Sequence, residues 1–205
     1  MDLPAPTRYL AMKADPAEPS NSPAARMESS LDTILTTLRK SFRDGRYASL
    51  DQRAHHLRQL RRMLTEHESE WVDALRADFR KPPFETFLTE IDIVVKEIDL
   101  HLRNLRRWAR PRRAKPFAGN LPARETIHRQ PFGVCLVIGA WNYPVNLALQ
   151  PVVGAISAGN AVVLKPSELS AATAELLERL AGRYFPADFF RVVNGGPDVG
   201  AAVTR

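Results

Sequence analysis

The sequence predicts an α/β protein in which N-terminal helices pack on the first half of a parallel sheet, and three observations carry that reading. Between Leu31 and Ala109, apolar residues recur at helical spacing. After Phe132, two short apolar runs without polar alternation, 132–138 and 161–164, flank a helical stretch; strands of that kind are buried on both faces of a parallel sheet. A further helical pattern at 171–182 and a third apolar run at 190–193 complete a βαβαβ order. Right-handed crossovers wind such an order into one half of a doubly wound nucleotide-binding sheet.

The first 26 residues contain five prolines and no long apolar stretch. They read as a disordered leader, neither signal peptide nor membrane anchor, and Met27 is a candidate true start. Leu31, Ile34, Leu35, Leu38 and Phe42 mark a first helix, stopped by Asp44-Gly45. Leu50, Ala54, Leu57, Leu60 and Leu64 mark a second, and Trp71, Val72, Leu75 and Phe79 a third that ends before Pro82-Pro83. From Phe84, the residues Leu88, Ile91, Val95, Ile98, Leu102, Leu105 and Ala109 follow at alternating steps of four and three, which predicts one long helix closed by Pro111. That spacing is also a coiled-coil heptad. Ile93, Val94, Leu100 and Trp108 widen the apolar face, however, and favour a long helix packed across a sheet. Pro116, Gly119 and Pro122 then punctuate an extended segment with a strand expected over 126–130. An apolar helix over 145–157 ends at Gly159, and Ser170 is the expected N-cap of the helix over 171–182.

A length of 205 residues suits one well-cored domain, or one with an appendage. The hydrophobic share of 44% and charged share of 25% are those of an ordinary soluble protein, which excludes fibrous and disorder-dominated classes. The net charge of +6 gathers at Arg103, Arg106, Arg107, Arg110, Arg112, Arg113 and Lys115, seven cations within thirteen residues. With no nucleic-acid motif beside it, this cluster reads as a solvated helix end and loop rather than a nucleic-acid surface. One cysteine, Cys135, excludes an internal disulfide framework and a cysteine-rich zinc site, so a cytoplasmic setting is the default. No metal site is expected: His55-His56 lacks a ligand pattern, and both rings are expected to face solvent.

The informative chemistry lies at the ends of the first two apolar runs. Gly139 ends the first run and Pro144 can open a helix, so Trp141, Asn142 and Tyr143 fall on the loop between strand and helix. In open α/β sheets that loop faces the ligand crevice. An Asn there is a non-titrating donor suited to a developing oxyanion, or a cap for the next helix. Lys165 and Glu168 follow the second run, either as ligand donor and acceptor or as a loose ion pair in an exposed turn. Gly195 to Gly200 departs from Gly-x-Gly-x-x-Gly, with Pro197 at the third position, and reads as an ordinary connection.

The run from Pro131 to Pro144, Pro-Phe-Gly-Val-Cys-Leu-Val-Ile-Gly-Ala-Trp-Asn-Tyr-Pro, and the run from Gly159 to Glu168, Gly-Asn-Ala-Val-Val-Leu-Lys-Pro-Ser-Glu, resemble the NAD(P)-dependent aldehyde dehydrogenases. Glu85 to Ile91, Glu-Thr-Phe-Leu-Thr-Glu-Ile, is similar to the class-3-like, fatty-aldehyde branch. The resemblance runs from about Leu31 to Val199 and implies a truncated aldehyde dehydrogenase fold with a Rossmann-like sheet. Residues 27–115 would then form the helical part of the cofactor domain, 116–131 a hairpin segment bridging subunits of a homo-oligomer, and 132–205 the first half of the NAD(P)-binding unit.

By the same resemblance Asn142 donates to the oxyanion formed when a thiolate attacks an aldehyde, a contribution of about 3 to 4 kcal/mol. Ile138, Ala140 and Trp141 contact the cofactor, Lys165 and Glu168 hold the adenosine ribose, and Tyr143 lines the substrate channel. A carboxylate at Glu168 favours NAD over NADP. The family's nucleophilic cysteine and general-base glutamate lie further downstream, and Cys135 stands mid-strand, where burial keeps a thiol inert. The isolated chain is therefore expected to be inactive. The alternative is a non-catalytic nucleotide-binding or subunit-interaction module.

Overall fold

The computed structural model describes residues 23–204 apart from Pro116 and Leu121. Residues 1–22 of the expected leader lie outside the described residues. Helix α1 (Pro23–Arg43) starts eight residues before Leu31, and α2 (Leu50–Glu66) and α3 (Glu68–Phe79) follow at their predicted places. Ser49 caps α2, its hydroxyl accepting from the Gln52 amide at 3.2 Å. Arg80 ends α3 in the left-handed region (φ 55°), its amide donating to Arg76 at 2.8 Å.

The predicted long helix is divided. A short α4 (Pro83–Thr86) passes through a π turn (Phe87–Ile91) into α5 (Asp92–Trp108). The extra residue of a π turn rotates the buried face. Thr86 before the turn and Glu90 within it are buried, while Phe84 and Leu88, which the spacing puts on the core stripe, are 76% and 48% exposed. From Ile91, the last residue of the turn, the buried stripe runs on through Val94, Ile98 and Leu105. Adjacent residues Glu90 and Ile91 thereby both enter the interior.

Strands β1 (Arg112–Ala114) and β2 (Glu125–Ile127) pair antiparallel, so the hairpin begins ahead of the expected 116–131 segment, in the basic cluster, and its second strand is 125–127 rather than 126–130. Next come β3 (Val134–Ile138), α6 (Asn146–Ala158), β4 (Ala161–Lys165), α7 (Ala171–Tyr184), β5 (Phe190–Val192) and a short α8 (Pro197–Val203). The three strands are parallel in the order β3-β4-β5. Only the central β4 is buried along its whole length. As an edge strand, β3 leaves Leu136 37% and Ile138 55% exposed, contrary to the expected burial of both faces.

The alternation of β4 sets the layers. Val162 and Leu164 face α6 and α7, joining Leu149, Val153, Leu177 and Leu180 in the main core, whereas Ala161 and Val163 meet Leu38 of α1 on the other face. Helices α2, α3 and α5 cover α6 and α7 from outside, contributing Leu57, Trp71 and Ile98 to the same core. The long helix thus packs on helices rather than across the sheet, because the two crossover helices already occupy that face.

Two local expectations are corrected. Ser170 does occupy the N-cap position of α7, but its side chain makes no cap bond; Asp78 of α3 reaches over to accept from the amides of Ala172 (3.0 Å) and Thr173 (2.9 Å) and from the Thr173 hydroxyl (2.7 Å). His56 is buried, not solvated, its ring stacked on Phe189 with centroids 3.9 Å apart.

Candidate functional site

The loops after β3 and β4 lie side by side because Ile138 is in register with Lys165. The Gly139 amide donates to the Lys165 carbonyl at 2.9 Å. A side chain at Gly139 would meet Ala148 of α6, its Cβ only 3.2 Å from that of Ala148, so glycine here lets the helix approach the strand end. From this junction Ile138, Ala140, Trp141, Asn142 and Tyr143 run outward as an exposed strip.

Asn142 itself is exposed and has no hydrogen-bond partner among the described residues. It does not cap α6. The amides of Val145 and Asn146 are taken instead by Oε2 of Glu90, at 3.1 and 2.9 Å, and the Asn146 side chain donates to the Thr89 carbonyl at 3.0 Å. Glu90 is fully buried, and its other oxygen receives the Lys81 ammonium at 2.5 Å. The same ammonium sits 4.2 Å from the centre of the Tyr143 ring, a cation–π contact. The Trp141 ring tilts against Phe79 at 6.3 Å. The neighbours of Asn142 are therefore held by the helical layer, while its amide faces out. The flanking residues fix the backbone at Asn142, and its side chain is exposed.

Lys165 is only 4% exposed, whereas its partner Glu168 is exposed. Its Nζ donates to the Pro166 carbonyl (3.2 Å) and to Glu168 Oε2 (2.9 Å). Three donors and two partners leave one hydrogen for a ligand. The Lys165 hydrogen bond beside Glu168 holds that carboxyl below its usual range, so it is an anion and an acceptor at neutral pH. Beyond the pair, Pro166 to Glu168, Ala171, Ala174 and Asn194-Gly195 enclose a cleft of about 180 Å³.

Cys135 is half-buried within β3, and desolvation pushes its thiol pKa up, the opposite of what a nucleophile needs. Among the described residues no group of three His, Cys, Asp or Glu side chains could hold a metal ion. A cavity of about 670 Å³ lies away from these loops, between α1, the uncovered face of β3 and the end of α8. It is a groove of mixed character, lined by Leu31, Ile34, Leu35 and Leu136 together with Arg39 and Arg43, and it lacks a carboxylate beside its cations.

Sequence reasoning did not find Glu90, Lys81 or Asp78. A buried carboxylate looks like any surface acid in a one-dimensional reading, and the π turn that turns Glu90 inward leaves the apolar spacing undisturbed.

The aldehyde dehydrogenase family model matches residues 14–205. Aldehyde dehydrogenase family 3 member H1 of Arabidopsis thaliana is 44% identical over 162 residues, covering 79% of this chain and 34% of that protein. A substrate-bound Staphylococcus aureus AldH structure superposes with a TM-score of 0.81 at 29% identity, over 83% of this chain and 37% of that one. A mutant aldehyde dehydrogenase C from Pseudomonas syringae, solved with NAD+ and octanal, gives a TM-score of 0.70 at 27% identity, over 85% and 35%. The chain spans about a third of the length of the curated relatives it matches.

Proposed function

The chain belongs to the aldehyde dehydrogenase family, and on that premise we propose that it supplies the oxyanion donor and the adenosine shelf of an enzyme that oxidises an aldehyde to a carboxylic acid with NAD(P). The observation that carries the reading is the adjacency of the two strand ends: Asn142, without a partner among the described residues, on the loop after β3, and the buried Lys165 that ends β4 paired with Glu168 just beyond it. A cofactor laid along Ile138, Ala140 and Trp141 would place its ribose hydroxyls on the spare Lys165 hydrogen and the Glu168 carboxylate. That carboxylate repels a 2'-phosphate, which favours NAD over NADP. The cofactor supplies the hydride acceptor. The chain's own part is to hold it and to donate from Asn142 as negative charge grows on the aldehyde oxygen, with Tyr143 lining the approach.

None of these 205 residues suits the nucleophile's role, since the one thiol is mid-strand with a raised pKa. The chain by itself is therefore expected to bind cofactor and to form no NADH from aldehydes. We place the protein in the cytoplasm, with a small-molecule aldehyde substrate, homo-oligomeric contacts through the β1–β2 hairpin in the full-length enzyme, and no nucleic-acid partner. No described helix is long and apolar enough to cross a membrane. Titration with NAD+ and NADP+, followed by quenching of indole fluorescence at Trp141, tests the shelf: saturable binding weakened at least tenfold by Lys165→Met is expected. Absence of binding to either nucleotide removes the cofactor reading, and sustained aldehyde-dependent NADH formation removes the assignment of Cys135 as inert.

A further inference from the structure

The Lys81–Glu90 pair is the deepest charged feature described in the molecule: Lys81 is 8% exposed and Glu90 is fully buried. Buried ion pairs contribute little net stability against an apolar replacement, so burial alone does not explain one. Its location is more informative. Glu90 lies in the π turn that brings it inward, and π turns recur at functional sites. One carboxylate oxygen takes the two amides that open α6, and the other takes Lys81, which in turn covers Tyr143. The N-cap residue Val145 has no side chain able to do this work. The pair thus grips the chain one residue after Asn142 and again three and four residues after it, while the Gly139–Lys165 bond grips it three residues before.

From this we infer that Glu90, braced by Lys81, is a positioning residue for the Asn142 donor: it holds the loop between β3 and α6 in the single conformation that aims the amide. The inference rests on the oxyanion role proposed for Asn142. It adds that the rigidity of that donor is set by a carboxylate more than fifty residues upstream.

Amide hydrogen exchange on the 205-residue chain tests it. Glu90→Gln keeps shape and an acceptor but replaces charge-assisted hydrogen bonds, roughly twice as strong as neutral ones, with neutral ones. Exchange at Val145 and Asn146 is expected to rise about tenfold, while Val162 and Leu164 of β4 stay within about twofold. Equal acceleration at all four sites would mean that Glu90 serves global stability only, and no change at Val145 and Asn146 would mean that it holds nothing; either overturns the inference. Nitrogen relaxation of the wild-type chain decides it without a variant: backbone order parameters over 141–146 are expected near the rigid value of about 0.85, and values below about 0.6 refute a held loop. Nucleotide titration of the same sample tests the proposed function separately. Failure there removes the cofactor shelf and leaves the exchange result to decide Glu90.

Discussion

Acidification should destabilise this protein through His56. The ring is 3% exposed, stacked on Phe189, edge-on to Tyr47 at 5.1 Å, and neither nitrogen has a partner among the described residues. Desolvation, with a smaller push from His55 and an opposing pull from Asp188, lowers its pKa from 6.5 to about 4. The Asp188 carboxylate is itself engaged by Arg46 and the Tyr47 hydroxyl, both at 2.7 Å, so it is not free to pair with the imidazolium.

The folded state binds this proton less readily than the unfolded state. The contribution of neutral His56 is therefore complete above pH 6.5 and is lost as the pH falls towards 4. At about 1.4 kcal/mol per pH unit of difference, the full loss is about 3 kcal/mol, and about 2 kcal/mol of it falls between pH 7.5 and 5.0. For a chain of this size that equals a drop of roughly 4 to 8 °C in Tm. Denaturant unfolding at the two pH values, for wild type and His56→Phe, isolates the effect, because the phenyl ring retains the stack and cannot titrate. The wild type should lose about 2 kcal/mol more than the variant. Parallel losses in both, or a His56 imidazole titrating near 6.5 by NMR in the folded protein, would refute the reasoning.

Asp78→Ala removes three hydrogen bonds at the start of α7 and should cost about 2 kcal/mol by denaturant midpoint, a larger effect than any exposed carboxylate on α3 would give. Asn142→Ala should leave the unfolding free energy within about 0.5 kcal/mol of wild type, since the side chain is exposed and has no partner among the described residues; a larger loss would give it a structural role. Glu168→Gln should shift the NADP+ to NAD+ affinity ratio towards NADP+ by up to about tenfold in paired titrations, by removing the charge that opposes a 2'-phosphate. An unchanged ratio would detach Glu168 from cofactor choice.

The features that could be read from sequence were those written in apolar pattern. The runs that became β3 and β4 lack polar alternation, and α2, α3, α6 and α7 carry helical spacing, so their places and the parallel order followed from period and punctuation alone. What failed depends on neighbours distant in sequence. β3 is an edge strand, so its apolar run does not guarantee burial, and Leu136 and Ile138 are partly uncovered. The steps of four and three from Phe84 continue unbroken across the π turn, so no local signal marks where the buried face rotates. His56 is polar by type and was expected in solvent, but Phe185 and Phe189, more than 120 residues later, close over it. The site divides in the same way. Asn142, Lys165 and Glu168 stand beside recognisable strand ends, whereas the residues that hold them come from helices α3 to α5 and the segment joining them.

Those holding residues share one physical logic. Neither crossover helix caps itself: Val145 has no suitable side chain, and Ser170 turns its hydroxyl to the Ser167 carbonyl. In each case a carboxylate from the outer helical layer accepts the open amides, Glu90 for α6 and Asp78 for α7. A helix N-terminus carries partial positive charge, so an anion fixed there lowers its energy, and a buried one does so with little screening by salt. The helical layer is thus joined to the βαβαβ unit by two directional contacts as well as by shared apolar core, and both contacts fall beside the loops of the candidate site, one next to Asn142 and one next to Glu168. Perturbing the helical layer should therefore reach the site first through loop order and only later through global unfolding. That ordering is visible in exchange data as selective deprotection at Val145, Asn146, Ala172 and Thr173 ahead of β4.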